Sequence, residues 1–424
     1  MSNEPIVVTG LGAVCPLGTG IESVWDAFVA GRSGIRELAP GDDRLATGVD
    51  PTAPDAVRRA GWVRGFQPRE HVRSAQLRRM DWCSRMAVAA LRQASEDAGL
   101  VPLDDATSVR TALVVGSCYG NQRETAVYLK RVFASGPAAG QPLLFPNLVL
   151  NAAAGYAAIE LDVRGPNVCV AEHEASGEVA IATALDLLAS GTCDVACVAA
   201  VDEMGSVLLD ALSDLRLLHP DAMAPEGEQR RGRRTSRHGT VVPGEGAAAL
   251  VLERASRATA RGAKPYATVA GARIGAVGGD CSPYGLPRDV DAAASELLEL
   301  AHFPGPELDG VLGSANGLVL RDALDDAILQ RLCRDDRRPA YAPFRRLVGD
   351  WGAAGALGAV LASRALRAGE LPDAEIAEHR AERPTMKRVT RLLLVGAARG
   401  GVLVPVVFDR VEPSARLDRA ARPS

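Results

Sequence analysis

Gly165-Pro-Asn-Val-Cys-Val-Ala-Glu-His-Glu-Ala-Ser-Gly177, continuing through Leu188, decides how the rest of the chain is read. Val168 to Ala171 is short and rich in β-branched residues, which predicts a buried strand. After Ser176-Gly177, the apolar positions Val179, Ile181, Leu185 and Leu188 fall at helical spacing, and Gly191 stops the helix. A strand, a sharp elbow and a helix place one side chain at a helix N-terminus, where backbone N–H groups and the helix dipole favour negative charge. The elbow carries Glu172, His173 and Glu174. The spacing predicts an extended elbow, in which the neighbours His173 and Glu174 point to opposite sides. What a carboxylate does at that position is the functional question.

Working outward, the same alternation recurs along the chain. Strands are expected at 6–13, 111–115, 195–201 and 246–253, then at 267–274, 310–313, 391–395 and 402–408. Helices are expected at 21–30, 81–98, 122–133, 146–159, 255–261, 292–301, 322–333 and 353–368. Two successive strand–helix sets argue for α/β layers built by duplication. Residues 35–75 are rich in Pro, Gly and charge and read as a surface excursion; 218–236 read as a polar, basic loop.

Composition narrows the function. The 424 residues are 47% apolar and 4% aromatic, with a formal net charge of -4. Scarce aromatics and a negative balance give no base-stacking surface and no general affinity for phosphate backbones or anionic membranes. The run Arg230-Arg231-Gly-Arg233-Arg234 reads as solvated loop charge. Eight cysteines without CxxC pairs read as small buried hydrophobes of a reducing compartment, with no zinc spacing. With no signal peptide and no bilayer-length apolar run, a cytoplasmic protein is expected. Gly10-Leu-Gly12 lacks the third glycine of a dinucleotide fingerprint. His71, His219, His238, His302 and His379 lie in polar or linker contexts, without the pattern of a triad.

Five stretches together resemble the β-ketoacyl synthases of the thiolase fold: Val7-Val-Thr-Gly-Leu-Gly-Ala-Val-Cys-Pro-Leu-Gly18, Gly31-Arg-Ser-Gly-Ile35, Ile159-Glu-Leu-Asp-Val-Arg-Gly-Pro166, Ala175-Ser-Gly177 and Gly244-Glu-Gly-Ala-Ala-Ala-Leu-Val-Leu-Glu253. They come in family order, and the likeness covers about residues 5–410. It implies a five-layer αβαβα fold of two pseudo-duplicated halves, 1–253 (elbow at 171–177) and 254–412, with 413–424 as a disordered tail. It also implies a dimer whose interface runs beside the elbow and lines an acyl channel.

The resemblance stops at the catalytic residues. Family synthases carry a cysteine at the elbow, where this chain has Glu174. The family's first histidine opens a His-Gly-Thr-x-Thr turn; here it is Asn316-Gly-Leu318-Val-Leu320, which replaces the hydroxyls expected to bond a pantetheine arm. The second histidine follows a lysine. Arg345 with Asp350 comes closest, in a register open by one residue, and a family glutamate in the next helix becomes Gly358. The Gly-Phe-Gly-Gly gate becomes Ala398-Arg399-Gly400-Gly401. Condensation needs a thiolate to carry the acyl group and imidazoles to stabilise the developing charge. The resemblance therefore points to a chain length factor, the ketosynthase β subunit of type II polyketide synthases of antibiotic biosynthesis.

Such a subunit would pair with an active ketosynthase α subunit as a heterodimer and meet an acyl carrier protein. It would act on phosphopantetheine-linked acyl chains and hold no cofactor or metal of its own. Glu174, Asn316 and Asp350 would be the positional equivalents of the catalytic residues. Leu318, Leu320, Arg399, Gly400 and Gly401 would line or gate the channel. Two alternatives stand beside this one. The first is an enzyme using Glu174 with Asn316 and Asp350 as an acid/base site for decarboxylation, cyclisation or dehydration of a carrier-bound polyketide. The second is a purely structural pseudoenzyme.

Overall fold

The computed structural model describes residues 4–37, 59–72, 75–218, 239–278, 289–334, 337–374 and 384–411. The tail 413–424, the Arg230–Arg234 cluster, Cys281 and the histidines 219, 238 and 379 lie outside them.

Ten strands carry the architecture. The first five are β1 Ile6–Cys15, β2 Thr111–Gly116, β3 Asn167–Val170, β4 Val195–Asp202 and β5 Gly246–Arg254. The second five are β6 Ala267–Ala272, β7 Gly310–Leu312, β8 Ala340–Ala342, β9 Arg391–Ala398 and β10 Val402–Asp409. The first set runs in the order β3-β2-β4-β5-β1 and the second in the order β8-β7-β9-β10-β6. In each set the two pairs at the outer end are parallel and the two nearest the join are antiparallel. Order and direction repeat strand for strand, so the duplication expected from the alternating pattern is present in the topology. The sets meet where Ile6–Val8 of β1 pairs with Ala267–Val269 of β6.

Seven helices position the site: α1 Trp82–Asp97, α2 Gln122–Ser135, α3 Ala152–Leu161, α4 Ser176–Ala189, α5 Val290–Leu300, α6 Val319–Leu332 and α7 Gly355–Ala368. Buried residues of α4 and α7 share one core cluster with strands of both sets. Those of α1 and α3 pack on the far face of the first set, and those of α5 and α6 on the far face of the second. That is five layers, helices outside, sheets within, and α4 against α7 in the middle. The valine- and alanine-rich strands are buried on both faces, as sheets covered on both sides require.

Two glycines set the spacing of the middle layer. A Cβ on Gly177 would lie 2.7 Å from Ala356 N, and one on Gly355 would lie 2.1 Å from the Glu178 carboxylate. The N-termini of α4 and α7 cross in backbone contact, and a side chain at either glycine would force them apart.

Several expectations need correction. The 146–159 stretch is helical only from Ala152, after a 3-10 turn at Phe145–Asn147. The 35–75 excursion is not all surface: Ala60, Trp62, Val63, Phe66 and Val72 are buried, apolar residues scattered too sparsely to register as an element. Among the cysteines, Cys15, Cys83, Cys193 and Cys197 are buried, Cys118 and Cys169 are half-buried, and Cys333 is exposed. The elbow is a 3-10 turn over His173–Ala175 with His173 at φ 47°, not extended chain. Ser176 closes it: its Oγ accepts from Glu172 N at 2.9 Å and donates to the His173 carbonyl at 2.7 Å. No helix among the described residues is long and apolar enough to cross a membrane.

Candidate functional site

The 3-10 turn after β3 holds Glu174 against the turn after β9, where it is 3% exposed. Its carboxylate does not cap α4. Instead Arg399 takes both oxygens: its backbone N donates to Oε2 at 3.0 Å, and Nε and Nη2 donate to Oε1 at 2.9 and 2.5 Å. Arg399 Nη2 also donates to the Tyr119 hydroxyl at 3.1 Å. Burial alone would raise the carboxyl's pKa. The Arg321 and Arg399 charges and the Arg399 hydrogen bonds outweigh it and hold Glu174 down at about 2. Burial would lower the Arg399 guanidinium, but the Glu174 charge holds it above its usual range.

A second cluster lies beside the first. The Asn316 amide is oriented by its surroundings: Oδ1 accepts from Leu318 N at 3.1 Å, which leaves Nδ2 to donate to Asp350 Oδ2 at 3.0 Å. Asp350 Oδ1 accepts from Arg345 Nη1 at 3.1 Å and stands 3.8 Å from Arg321 Nη1. Arg321, only 1% exposed, also donates to the Ala397 carbonyl at the end of β9, next to the Arg399 turn. Arg321 therefore stands between the two clusters.

The structure thus brings Asn316 and Asp350 into direct contact and joins them to Glu174 through Arg321. Among the described residues Glu174 has no free acid or base partner; His173 is absent from its hydrogen bonds. Leu318 is buried against Trp62, Met204, Leu217 and Val241, and Leu320 is half-buried. Gly400 is exposed and Gly401 buried, both at positive φ, forming the turn that turns Arg399 inward.

Four neighbours escaped the sequence reading. Arg321 follows the Asn316–Leu320 turn within the first turn of α6, where it passes for a surface charge. Tyr119 and Cys118 sit in the loop after β2. Burial, with the Asp202 and Glu174 charges, pushes the Cys118 thiol far up, so Cys118 offers no thiolate in place of the missing nucleophile. Glu178, fully buried in the first turn of α4, places Oε1 4.0 Å from Arg345 Nη2. At Gly358, where the resemblance puts a family glutamate, a Cβ would meet Leu394 at 2.5 Å and Phe344 at 2.9 Å. Besides Asp350, the buried carboxylate facing Arg345 is Glu178 of the opposite helix.

Residues 3–258 match the family model "Beta-ketoacyl synthase, N-terminal domain". A curated relative, "3-oxoacyl-[acyl-carrier-protein] synthase 2" of Staphylococcus aureus (strain N315), is 30% identical over 331 residues, 77% of this chain and 70% of the relative. The protein of that name from Vibrio cholerae is 30% identical over 335 residues, again 77% and 70% of the two chains. Among solved structures, a chain of "The ishigamide ketosynthase/chain length factor" aligns with TM-score 0.81 and 26% identity, covering 97% of this chain and all of that one. A β-ketoacyl synthase from Burkholderia phymatum STM815 aligns with TM-score 0.78 at 22% identity, over 96% of this chain, and shares the fold. With more than half its length matched by the family model and the thiolase-like layers complete, the chain belongs to the β-ketoacyl synthase family.

Proposed function

We propose that this chain is a non-condensing ketosynthase-like subunit, a chain length factor. It pairs with a cysteine-bearing synthase and shapes the channel for a carrier-linked polyketide. The observation that carries this reading is the Glu174–Arg399 pair. At the two positions where the resemblance puts a nucleophile and a gate, the chain has an ionised carboxylate and a guanidinium bonded to each other. A carboxylate at about 2 with three donors on it neither carries an acyl group nor trades protons near neutrality. Asn316 and Asp350 bond each other, Leu318 and Arg345 where the resemblance puts the two imidazoles. These features weigh against an acid/base role for Glu174.

The surface beside the elbow supports a partner. Within the described residues β3 is the last strand at its end of the sheet, open to pairing on one side. Phe133, Leu143, Phe145, Val149, Leu150 and Ile159 are exposed on α2, α3 and the segment between them. An apolar face beside an open strand edge fits a second synthase-like chain.

The test is co-expression with a homologue that keeps the elbow cysteine and both histidines. The expected result is a one-to-one complex, no condensation by this chain alone, and altered product length when Leu318 or Leu320 is enlarged in the complex. Glu174→Cys should leave the isolated chain without condensing activity. A stable homodimer that ignores the synthase, or turnover of malonyl-carrier protein that vanishes in Glu174→Ala, would sink the proposal.

A further inference from the structure

We infer that Asp202 is a positioning residue that holds both walls of the elbow and ties the Glu174 cluster to helix α2. The inference does not depend on which partner the protein takes.

Asp202 is the last residue of β4 and is completely buried. Its Oδ1 accepts from Ser117 Oγ at 2.8 Å and from the backbone N of Cys118, Tyr119 and Gly120 at 2.9, 2.8 and 3.2 Å. Its Oδ2 accepts from Ala353 N at 2.8 Å. Five donors from two distant segments converge on one carboxylate. A side-chain amide cannot replace it, because an amide presents an NH2 group to one of the two sets of N–H donors.

Each segment reaches the elbow by its own route. The Ser117–Gly120 loop carries Tyr119, whose hydroxyl accepts from Arg399, which in turn holds Glu174. Ala353 lies at the turn into α7, with its carbonyl 3.0 Å from where a Cβ on Gly177 would stand. The loop also runs directly into α2, whose exposed face includes Phe133. There the adjacent carboxylate takes over: Glu203 Oε1 accepts from Arg123 N at 2.7 Å in the first turn of that helix. Residues 202 and 203 thus hold, one after the other, the elbow's walls and the start of the apolar face.

Residue-resolved amide hydrogen exchange on the full chain tests this, because exchange reports local opening. In Asp202→Asn the amides of Cys118, Tyr119, Gly120 and Ala353 should exchange about tenfold faster or more. The discriminating readout is the Arg399 amide, which donates to Glu174 and makes no bond to Asp202. It should speed up as well, and Glu174→Gln should speed the Tyr119 amide in return, since coupling is reciprocal. Tyr119→Phe removes the hydroxyl that joins the two and should shrink both cross effects. Should Asp202→Asn fail to fold, Glu174→Gln alone and combined with Tyr119→Phe gives the same reading. An unchanged Arg399 amide in Asp202→Asn, or an unchanged Tyr119 amide in Glu174→Gln, would overturn the inference.

Discussion

Glu174 and Glu178 are one helical turn apart, both almost fully buried, and the protein treats them in opposite ways. Glu174 meets a cation in contact, with three hydrogen bonds from Arg399, and stays ionised down to about pH 2. Glu178 faces Arg345 only at 4.0 Å, and among the described residues none donates a hydrogen bond to its carboxylate. Burial therefore wins over the Arg345 charge, and its pKa is raised. Depth is nearly the same in both cases; the Arg321 and Arg399 charges beside Glu174, with the Arg399 hydrogen bonds, decide the difference in charge state. The elbow's mouth is thus a fixed ion pair, while the helix crossing behind it holds a carboxyl inclined to neutrality.

The largest effect should come from removing the cation that serves the crossing. Arg345→Met removes the closest cation of Asp350 and of Glu178 alike. Breaking a buried pair from one side costs about 3–5 kcal/mol. Urea unfolding should show that loss, and adding Glu178→Gln should recover part of it, because a neutral amide needs no counter-charge. A double variant no more stable than Arg345→Met would undo the contrast between the two glutamates.

Glu174→Gln should cost less, about 1.5–3 kcal/mol, the worth of hydrogen bonds to a charged group. The pH dependence fixes the sign. Glu174 lies at about 2 in the folded protein against an ordinary value of 4.5, so its contribution is present above pH 4.5 and lost as pH falls towards 2. Stability curves of wild type and Glu174→Gln should therefore converge across that window. Curves that stay parallel would mean the carboxylate is not what Arg399 stabilises.

How much of this the sequence shows follows from the range of the interactions involved. The strands and helices rest on local periodicity, and the order of the strand–helix pattern carried the duplication. Glu174, Asn316 and Asp350 were identified by position within motifs, and the contact between the last two follows from the fold bringing those turns together. Arg321, Glu178, Tyr119 and Asp202 were not legible. Each has an ordinary neighbourhood in the chain, and each acquires its role from a partner far away in sequence, as Asp202 does from Ala353 across 151 residues. Glu174 leaves the N-terminus of α4 uncapped for the same reason: Arg399, 225 residues away, takes the carboxylate with two charged donors and a backbone N–H.

A third buried carboxylate extends the contrast at the smallest scale. Glu203 accepts one hydrogen bond, from Arg123 N, and its other oxygen has no partner among the described residues. Burial, with the Asp81 and Glu245 carboxylates nearby, raises it from 4.5 to about 8. The sign is opposite to that of Glu174: the folded state binds a proton that the unfolded chain releases. Its contribution is whole below pH 4.5, falls as pH rises and is lost by about 8. Glu203→Gln keeps the Arg123 acceptor and cannot ionise, so it should match wild type at pH 5 and be the more stable of the two at pH 8. A tenfold change in proton affinity is worth about 1.4 kcal/mol, which puts the gain on the order of 1 kcal/mol or more. Thermal unfolding of both proteins from pH 5 to 9 measures it. A variant that gains nothing at pH 8 would show that Glu203 is held ionised as Glu174 is, and that burial with a single backbone donor is not enough to neutralise a carboxylate in this core.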